Sequence, residues 1–412
     1  MRAATWATNR DIAAARLSWE RAQSIADALP TEDVYRTSMR IAPRTMLCGT
    51  AWRVHTHVAG ARFDELRQLC TAAGDKASLA IAMAGLGDGS RASGPDARGV
   101  AAGIGSLGLI ESVGDRALTV GLSLAAIYAK LKSGEYSDVL RWAQRVIDLA
   151  DGDTSKGGDF LGVSPLALAL GRPGWRDDQR HGLAMAHGTD PLSYAGVVTF
   201  VYGAAITSGV LRADDSAVRG IEDALQIAER SADDFALTLA RMTLGYALVH
   251  RQTAGERDRG QQVLAEVSEV LRRPGYNLGE LPIVEVYVAR ERARRGDRDE
   301  ALALMLAAVD HLFRGGLLLP WGVPATGVLV ETLLERGDES DVAEAEAAII
   351  RLADAPADDG LVIREIWLLR LRALLARARG DEDAYRDYRD RYRAMATELG
   401  FEGHMAMAEA MT

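Results

Sequence analysis

Arg295-Gly296-Asp297, with Ala301 close behind, recurs as Arg336-Gly337-Asp338 with Ala343 and again as Arg379-Gly380-Asp381 with Ala384. The three glycines stand 41 and 43 residues apart, and self-similarity at a period of about 20 to 50 residues marks a repeat array. Each copy reads as a junction between two helices. An arginine suits the negative end of a helix dipole, a glycine supplies the left-handed residue past the last turn, and an aspartate accepts hydrogen bonds from the amides that open the next helix. Glu300, three residues after Asp297, completes the pattern of a capping box. Arg-Gly-Asp is also a cell-adhesion tripeptide, but three copies at one helix-turn-helix position read as punctuation.

The rest of the composition agrees with that reading. A chain of 412 residues exceeds the usual size of one compact core, so it is either several domains or a solenoid whose units touch only their neighbours. Aromatics make up only 6%, prolines number 11, and no window alternates β-branched and polar residues for long enough to form a strand. The expected fold is all-α, a tetratricopeptide-like superhelix built as a solenoid of antiparallel helical hairpins. We divide it into N-terminal helical repeats over 1–115 and C-terminal repeats with terminal capping helices over 116–412.

Helix signals are dense along the chain. Asp190-Pro191 supplies a cap and a first helical residue, Ser231 with Asp234 forms a capping box ahead of a helix reaching His250, and a looser stretch runs from Asp151 to Gly171. Ile363, Trp367, Leu371, Leu374 and Leu375 share one helix face that only a neighbouring hairpin can cover. The first helix, from Asp11, lacks a polar capping repeat before it. The chain is therefore expected to be a piece of something longer.

Charge and special residues exclude several function classes. A formal net charge of −10 disfavours direct nucleic-acid binding, which relies on Lys and Arg neutralising phosphates. Cys48 and Cys70 form no Cys-x-x-Cys and have no histidine at ligand spacing, so neither zinc nor a disulfide framework is indicated, and a reducing cytoplasm fits. No signal peptide opens the chain. The apolar run from Tyr194 to Leu211 is interrupted by Gly196, Gly203 and Gly209 together with Thr199, Thr207 and Ser208, and reads as a buried packing helix, not a membrane span.

Catalytic motifs are weak. Gly103-Ile104-Gly105-Ser106-Leu107-Gly108 spells a dinucleotide fingerprint, but no strand precedes it, so we read it as close helix packing or a bend. There is no P-loop, no Gly-x-Ser-x-Gly elbow, and the seven histidines are dispersed. We assign no catalytic residue, no cofactor and no metal. Between Asp381 and Arg393 alternating charges with Tyr385, Tyr388 and Tyr392 on the other face read as a docked terminal helix. Tyr287, Arg290, Trp321, Arg364 and Trp367 fall in the first helices of successive pairs, which line the concave surface of curved arrays. Trp and Arg are frequent binding hot spots, and these five residues are the candidates for binding a ligand or partner. The competing reading for Trp367 and Tyr287 is that they are core.

Several strings carry a resemblance. Gly296, Ala301, Met305 and Ala308 stand at tetratricopeptide-like offsets. The segment from Gly171 to Asp178 (Gly-Arg-Pro-Gly-Trp-Arg-Asp-Asp), the segment from Leu281 to Arg292, Trp321-Gly-Val-Pro-Ala-Thr-Gly327 and Leu399-Gly-Phe-Glu-Gly-His404 resemble the C-terminal helical-repeat region of large actinobacterial signalling proteins. In that family a class III adenylate or guanylate cyclase domain, or a LuxR-type DNA-binding domain, accompanies a signal-transduction ATPase. The resemblance covers residues 117–412, is expected to extend to the whole chain, and implies ancestry, not activity, since the cyclase aspartates, the P-loop and the helix-turn-helix have no counterpart here. It implies a non-enzymatic sensor or interaction arm whose partner is a protein or its own family's ATPase or cyclase region. The alternative is a receptor module for a small-molecule effector.

Overall fold

The structure, a computed structural model, describes residues 7–8, 11–53, 60–89, 108–171, 176–231, 233–273 and 279–411. Every regular element among them is helical. The N-terminal helices are α1 (Ile12–Asp27), α2 (Arg36–Gly49), α3 (Gly60–Ala73) and α4 (Lys76–Gly89), with a 3-10 turn at Ala51–Arg53. After a helical stretch at 108–113 come α5 (Arg116–Ser133), α6 (Tyr136–Ala150), the short α7 (Gly158–Leu161) and α8 (Pro165–Leu170), then α9 (Arg176–His187) and α10 (Pro191–Val198), which runs on through a π-helical turn to Thr207. The remaining hairpins pair α11 (Asp215–Ser231) with α12 (Asp234–Val249), α13 (Ala254–Leu271) with α14 (Leu281–Arg294), α15 (Arg298–Arg314) with α16 (Val323–Arg336), and α17 (Glu339–Asp354) with α18 (Val362–Ala378). Helices α19 (Glu382–Leu399) and α20 (Glu402–Glu409) end the chain.

The repeated tripeptide is punctuation, with two refinements. Gly296, Gly337 and Gly380 have φ of 107°, 80° and 72°, the left-handed region in which a Cβ is penalised. Asp381 caps α19 by accepting from the Ala384 amide at 3.0 Å. Asp297 and Glu300 do not form a capping box: Arg292 lies between them and takes both carboxylates, at 2.6 and 2.8 Å, because a guanidinium is a stronger partner than a backbone amide. Ser231 and Asp234 do not cap α12 either. Asp233 does so, accepting from Phe235 and Ala236 at 3.0 Å each, and the Ser231 hydroxyl turns back to the Ala228 carbonyl. The stretch from Asp151 to Gly171, read as loose, holds α7 and α8.

The junction arginines do more than face a dipole. Arg251, Arg295, Arg336 and Arg379 each reach back one repeat, to Asp215, Asp258, Asp299 and Glu346, at 2.5, 2.5, 2.5 and 2.6 Å. The result is a ladder of ion pairs along the array at the repeat period. Most rungs are exposed and contribute little singly. Arg336 differs, since it also pairs at 2.5 Å with Asp341, which is 1% exposed and whose carboxyl it holds below the usual range.

Inside the ladder the chain forms two layers. Helices α10, α12, α14, α16 and α18 contact one another in succession, and α11, α13, α15, α17 and α19 pack outside them. The run from Tyr194 to Leu211 lies in the inner layer with Ala195, Val197, Val198 and Ile206 buried; no helix among the described residues is long and apolar enough to cross a membrane. One core is continuous from Ala80 to Met411, and two smaller clusters around Trp19 and Leu66 serve the first helices. The coil also closes on itself. The Asp358 amide bonds the Gly134 carbonyl at 3.1 Å while its carboxylate takes the Ser137 amide, and α20 docks on the end of the α10 segment through Glu402 N–H to Val210 O and His404 N–H to Gly209 O. Gly403 stands so close to Gly209 that a Cβ on it would lie 2.7 Å from the Gly209 carbonyl.

Gly380 and Gly255 both have empty space where a Cβ would stand, but only Gly380 has positive φ. Gly380→Ala is expected to lose about 1–2 kcal/mol, and Gly255→Ala in the first turn of α13 to gain up to about 1 kcal/mol, both measured by urea denaturation; equal effects would refute the backbone argument. In the same assay Arg336→Met, which strands buried Asp341, is expected to lower the midpoint clearly, and Arg295→Met, whose pair is exposed on both sides, to leave it within error.

Candidate functional site

Residues one turn apart on the inner helices put charge on a shared face: Arg290 and Arg294 on α14, Glu331 and Glu335 on α16. Arg370 of α18 answers them, its Nη2 lying 2.7 Å from Glu331 Oε1, with side chains 12% and 17% exposed. Burial opposes the Glu331 charge, but Arg370 and Arg290 outweigh it and hold the carboxyl below the usual range. The seam continues to His404 of α20. Its Nε2 donates to the Ser208 carbonyl at 2.9 Å, so its Nδ1 is the acceptor for the Tyr392 hydroxyl at 2.8 Å. The Ser208 carbonyl also accepts from Trp367 Nε1 at 3.1 Å. At the other end His250 Nδ1 donates to the Tyr246 carbonyl at 2.7 Å, and Tyr287 Oη stands 3.4 Å from Nε2.

Both imidazoles are held neutral. Burial, aided by the Arg290 charge, lowers His250 to about 4. Burial, aided by Arg370, lowers His404 to about 3.

Of the five residues singled out from sequence, the three aromatics are buried and the two arginines half-buried. Tyr287, Trp321 and Trp367 are 1%, 2% and 4% exposed. Tyr287 and Trp321 both pack on Tyr246, with ring centroids at 5.5 and 5.7 Å. Trp367 sits elsewhere, edge-on to His404 at 5.3 Å, above Gly327, where any Cβ would be 2.2 Å from the indole. Arg290 is half-buried beside the Tyr246–Tyr287 group. Arg364 is separate, its Nη1 donating to the Ala355 carbonyl at 2.7 Å in the α17–α18 loop. The three aromatics are therefore packing residues in this fold: Tyr287 and Trp367 lie in α14 and α18, the second and not the first helices of their hairpins, Trp321 lies in the turn before α16, and these inner elements enclose a filled interior where an open concave groove was expected. Gly103 to Leu107 and the pair His55 and His57 lie outside the described residues.

Accessible space exists where α20 crosses the array. Two adjoining clefts, of ≈ 720 and ≈ 380 Å³, share Arg212, Arg251 and Ala406. Arg251 is committed to Asp215, Glu256 and the Ala213 carbonyl, and Asp214 caps the Ala217 amide. Arg212, Arg219 and Glu409 line the larger cleft, exposed and without ion pairs, beside half-buried Met405. The smaller cleft reaches His250 and Met407. Sequence reasoning missed these residues because the cleft joins positions near 212, 251 and 406. The one trace was the string ending at His404, which marked the segment without assigning it a place. Among the described residues no group of three or more His, Cys, Asp or Glu side chains could hold a metal ion.

The fold and this cleft define a helical-repeat protein of tetratricopeptide-like architecture. No protein-family model matches the chain, and no curated protein matches its sequence. Among solved structures it is similar to a Rap protein complexed with competence and sporulation factor, at 12% identity and a TM-score of 0.42 over 94% of this chain and 93% of that one. It is also similar to yeast Tom70, at 13% identity and a TM-score of 0.40 over 97% of this chain and 78% of that one.

His250 and His404 have folded pKa values below the 6.5 of the unfolded residue, so the unfolded chain takes up protons first as pH falls. Stability is full above pH 6.5 and is lost from there towards pH 4, by up to about 1.4 kcal/mol per pH unit for each histidine. Urea unfolding at pH 7.0, 6.0 and 5.0 checks this above the range where most carboxylates titrate, and a flat profile would remove the neutral-histidine seam from the account.

Proposed function

We propose that this chain is a non-catalytic recognition module, the sensor or interaction arm of a cyclase-like signal-transduction ATPase, acting in the cytoplasm with residues 1–115 and 116–412 as its two sets of repeats. The observation that carries the reading is the double cleft beside α20. It is walled by helix ends rather than by a catalytic constellation, and it presents unpaired Arg212, Arg219 and Glu409 around the thioethers of Met405 and Met407. Charges of both signs at a rim set register and association rate, and methionines adapt to varied apolar surfaces. A polypeptide segment offers both kinds of group. By the resemblance of the strings quoted above, the partner is the family's own ATPase or cyclase region.

A partner bound here touches α20, which is tied to the inner seam through His404, Ser208 and Trp367. Binding then changes the free energy of that docking, which is how a recognition arm biases its partner's state. The alternative reading is a receptor for a small-molecule effector.

Isothermal titration of the full chain against the cognate ATPase region is expected to show association at or below roughly 10 µM, weakened at least about tenfold by Arg212→Ala with Arg219→Ala. No heat at tens of micromolar would sink the partner reading; unchanged affinity in the double variant would move the interface off this cleft.

A further inference from the structure

Helix α20 closes the coil, yet little apolar surface holds it there. Within Glu402–Glu409 only His404 and Ala408 are buried, joined just beyond the helix by Met411. α18, by contrast, buries Ile366, Trp367, Leu368, Leu371 and Leu375. What fixes α20 is a set of hydrogen bonds. The Glu402 and His404 amides donate to the Val210 and Gly209 carbonyls at 3.0 and 2.9 Å, and His404 Nε2 donates to the Ser208 carbonyl at 2.9 Å. From α19, the Tyr392 hydroxyl meets His404 Nδ1 and Arg393 donates to the Ala408 and Met411 carbonyls.

Three consequences follow from elementary energetics. Each of these bonds is exchanged for one to water when α20 leaves, so its net contribution is small, whereas α18 can leave only by exposing its large apolar side chains. A segment held by few buried apolar contacts opens locally, at a lower free energy than the whole fold. A helix as short as α20 is also marginal by itself in water, so once undocked it loses its internal bonds and its amides open together. Lastly, the fit is close at Gly403, where a Cβ would lie 2.7 Å from the Gly209 carbonyl. Docking therefore needs glycine at a position where alanine would favour the helix.

We propose that α20 is a releasable strap: the segment from Glu402 to Met411 leaves residues 208–210 and re-docks on them as one unit while the two-layer array stays folded. Docked, it shuts the end of the inner seam over Trp367, whose ring meets His404 edge-on at 5.3 Å. Released, it uncovers that ring, the Tyr392 hydroxyl and the Ser208 carbonyl. Gly403, Met405, Ala406 and Met407 also wall the two clefts, so a partner seated there holds the strap shut. That last consequence rests on the recognition role proposed for the clefts; the strap itself does not.

Residue-resolved amide hydrogen exchange on the full chain, with no partner added, tests the strap. The Glu402, His404 and Met405 amides are expected to share one opening equilibrium, populated at least about 100-fold more than that of the α18 amides. Gly403→Ala is expected to raise this opening at least about tenfold, against the helix propensity it adds, with the α14 and α16 amides unchanged. Protection at 402–405 equal to that of α18 would mean that α20 opens only with the whole array, and would overturn the strap. So would exchange graded inwards from the C-terminus, which is end fraying, or a Gly403→Ala effect spread equally over all helices. The native-chain comparison decides if the variant fails to fold. Because no partner is present, these outcomes are independent of whether the ATPase region binds, and the two readings fail separately.

Discussion

Each hairpin of this protein carries an apolar stripe that no other part of the same hairpin covers, and the stripe must be buried against the next hairpin. On α18 that stripe is Trp367, Leu371 and Leu375, all buried, and on α12 burial extends along most of the helix. Burying such a side chain contributes on the order of 1.5–3 kcal/mol, so stability accumulates through successive interfaces, as in other repeat arrays. The junctions keep successive hairpins in register. A left-handed glycine turns the chain, and the following arginine ladder ties each junction to the outer helix one repeat back.

Nearest-neighbour stacking alone would leave a groove along the inner helices. Two contacts between distant residues prevent this. Asp358 joins the α5–α6 turn, and α20 lies along residues 208–210. Closure encloses the inner-face side chains, and polar groups left inside must satisfy one another. Glu331 meets Arg370, His404 spans Ser208 and Tyr392, and His250 bonds the Tyr246 carbonyl. The same enclosure strips both imidazoles of solvent and keeps them neutral.

Accessible space is thereby displaced from the middle of the inner face to its margins. The α20 cleft offers unpaired charge beside methionine, and the small pocket beside Trp52 is lined mainly by apolar side chains. These surfaces differ in chemistry and location, and each lies where segments far apart in sequence converge. Both also touch the elements that close the coil or fasten its N-terminal end.

Local chemistry was legible in the residues themselves. The tripeptide repeats, the Asp190 and Asp381 caps and the small-residue run from Tyr194 all depend on neighbours within a few positions, and the helices follow from them. Even there, competition decided details: Asp297 lost its capping role to Arg292, and Asp233 displaced the Ser231 pair, because several acceptors compete for the same few donors. A helical place for Tyr287 and Trp367 was likewise readable, although α14 and α18 are the second helices of their hairpins and not the first. That they are covered was not, since covering depends on superhelical pitch, which sums small rotations over many repeats. The sequence by itself determined an all-α repeat array; the tertiary structure alone decided that the array coils shut, that His404 meets Ser208, and that Arg53 meets Asp233, because these contacts join positions whose separation along the chain carries no local signal.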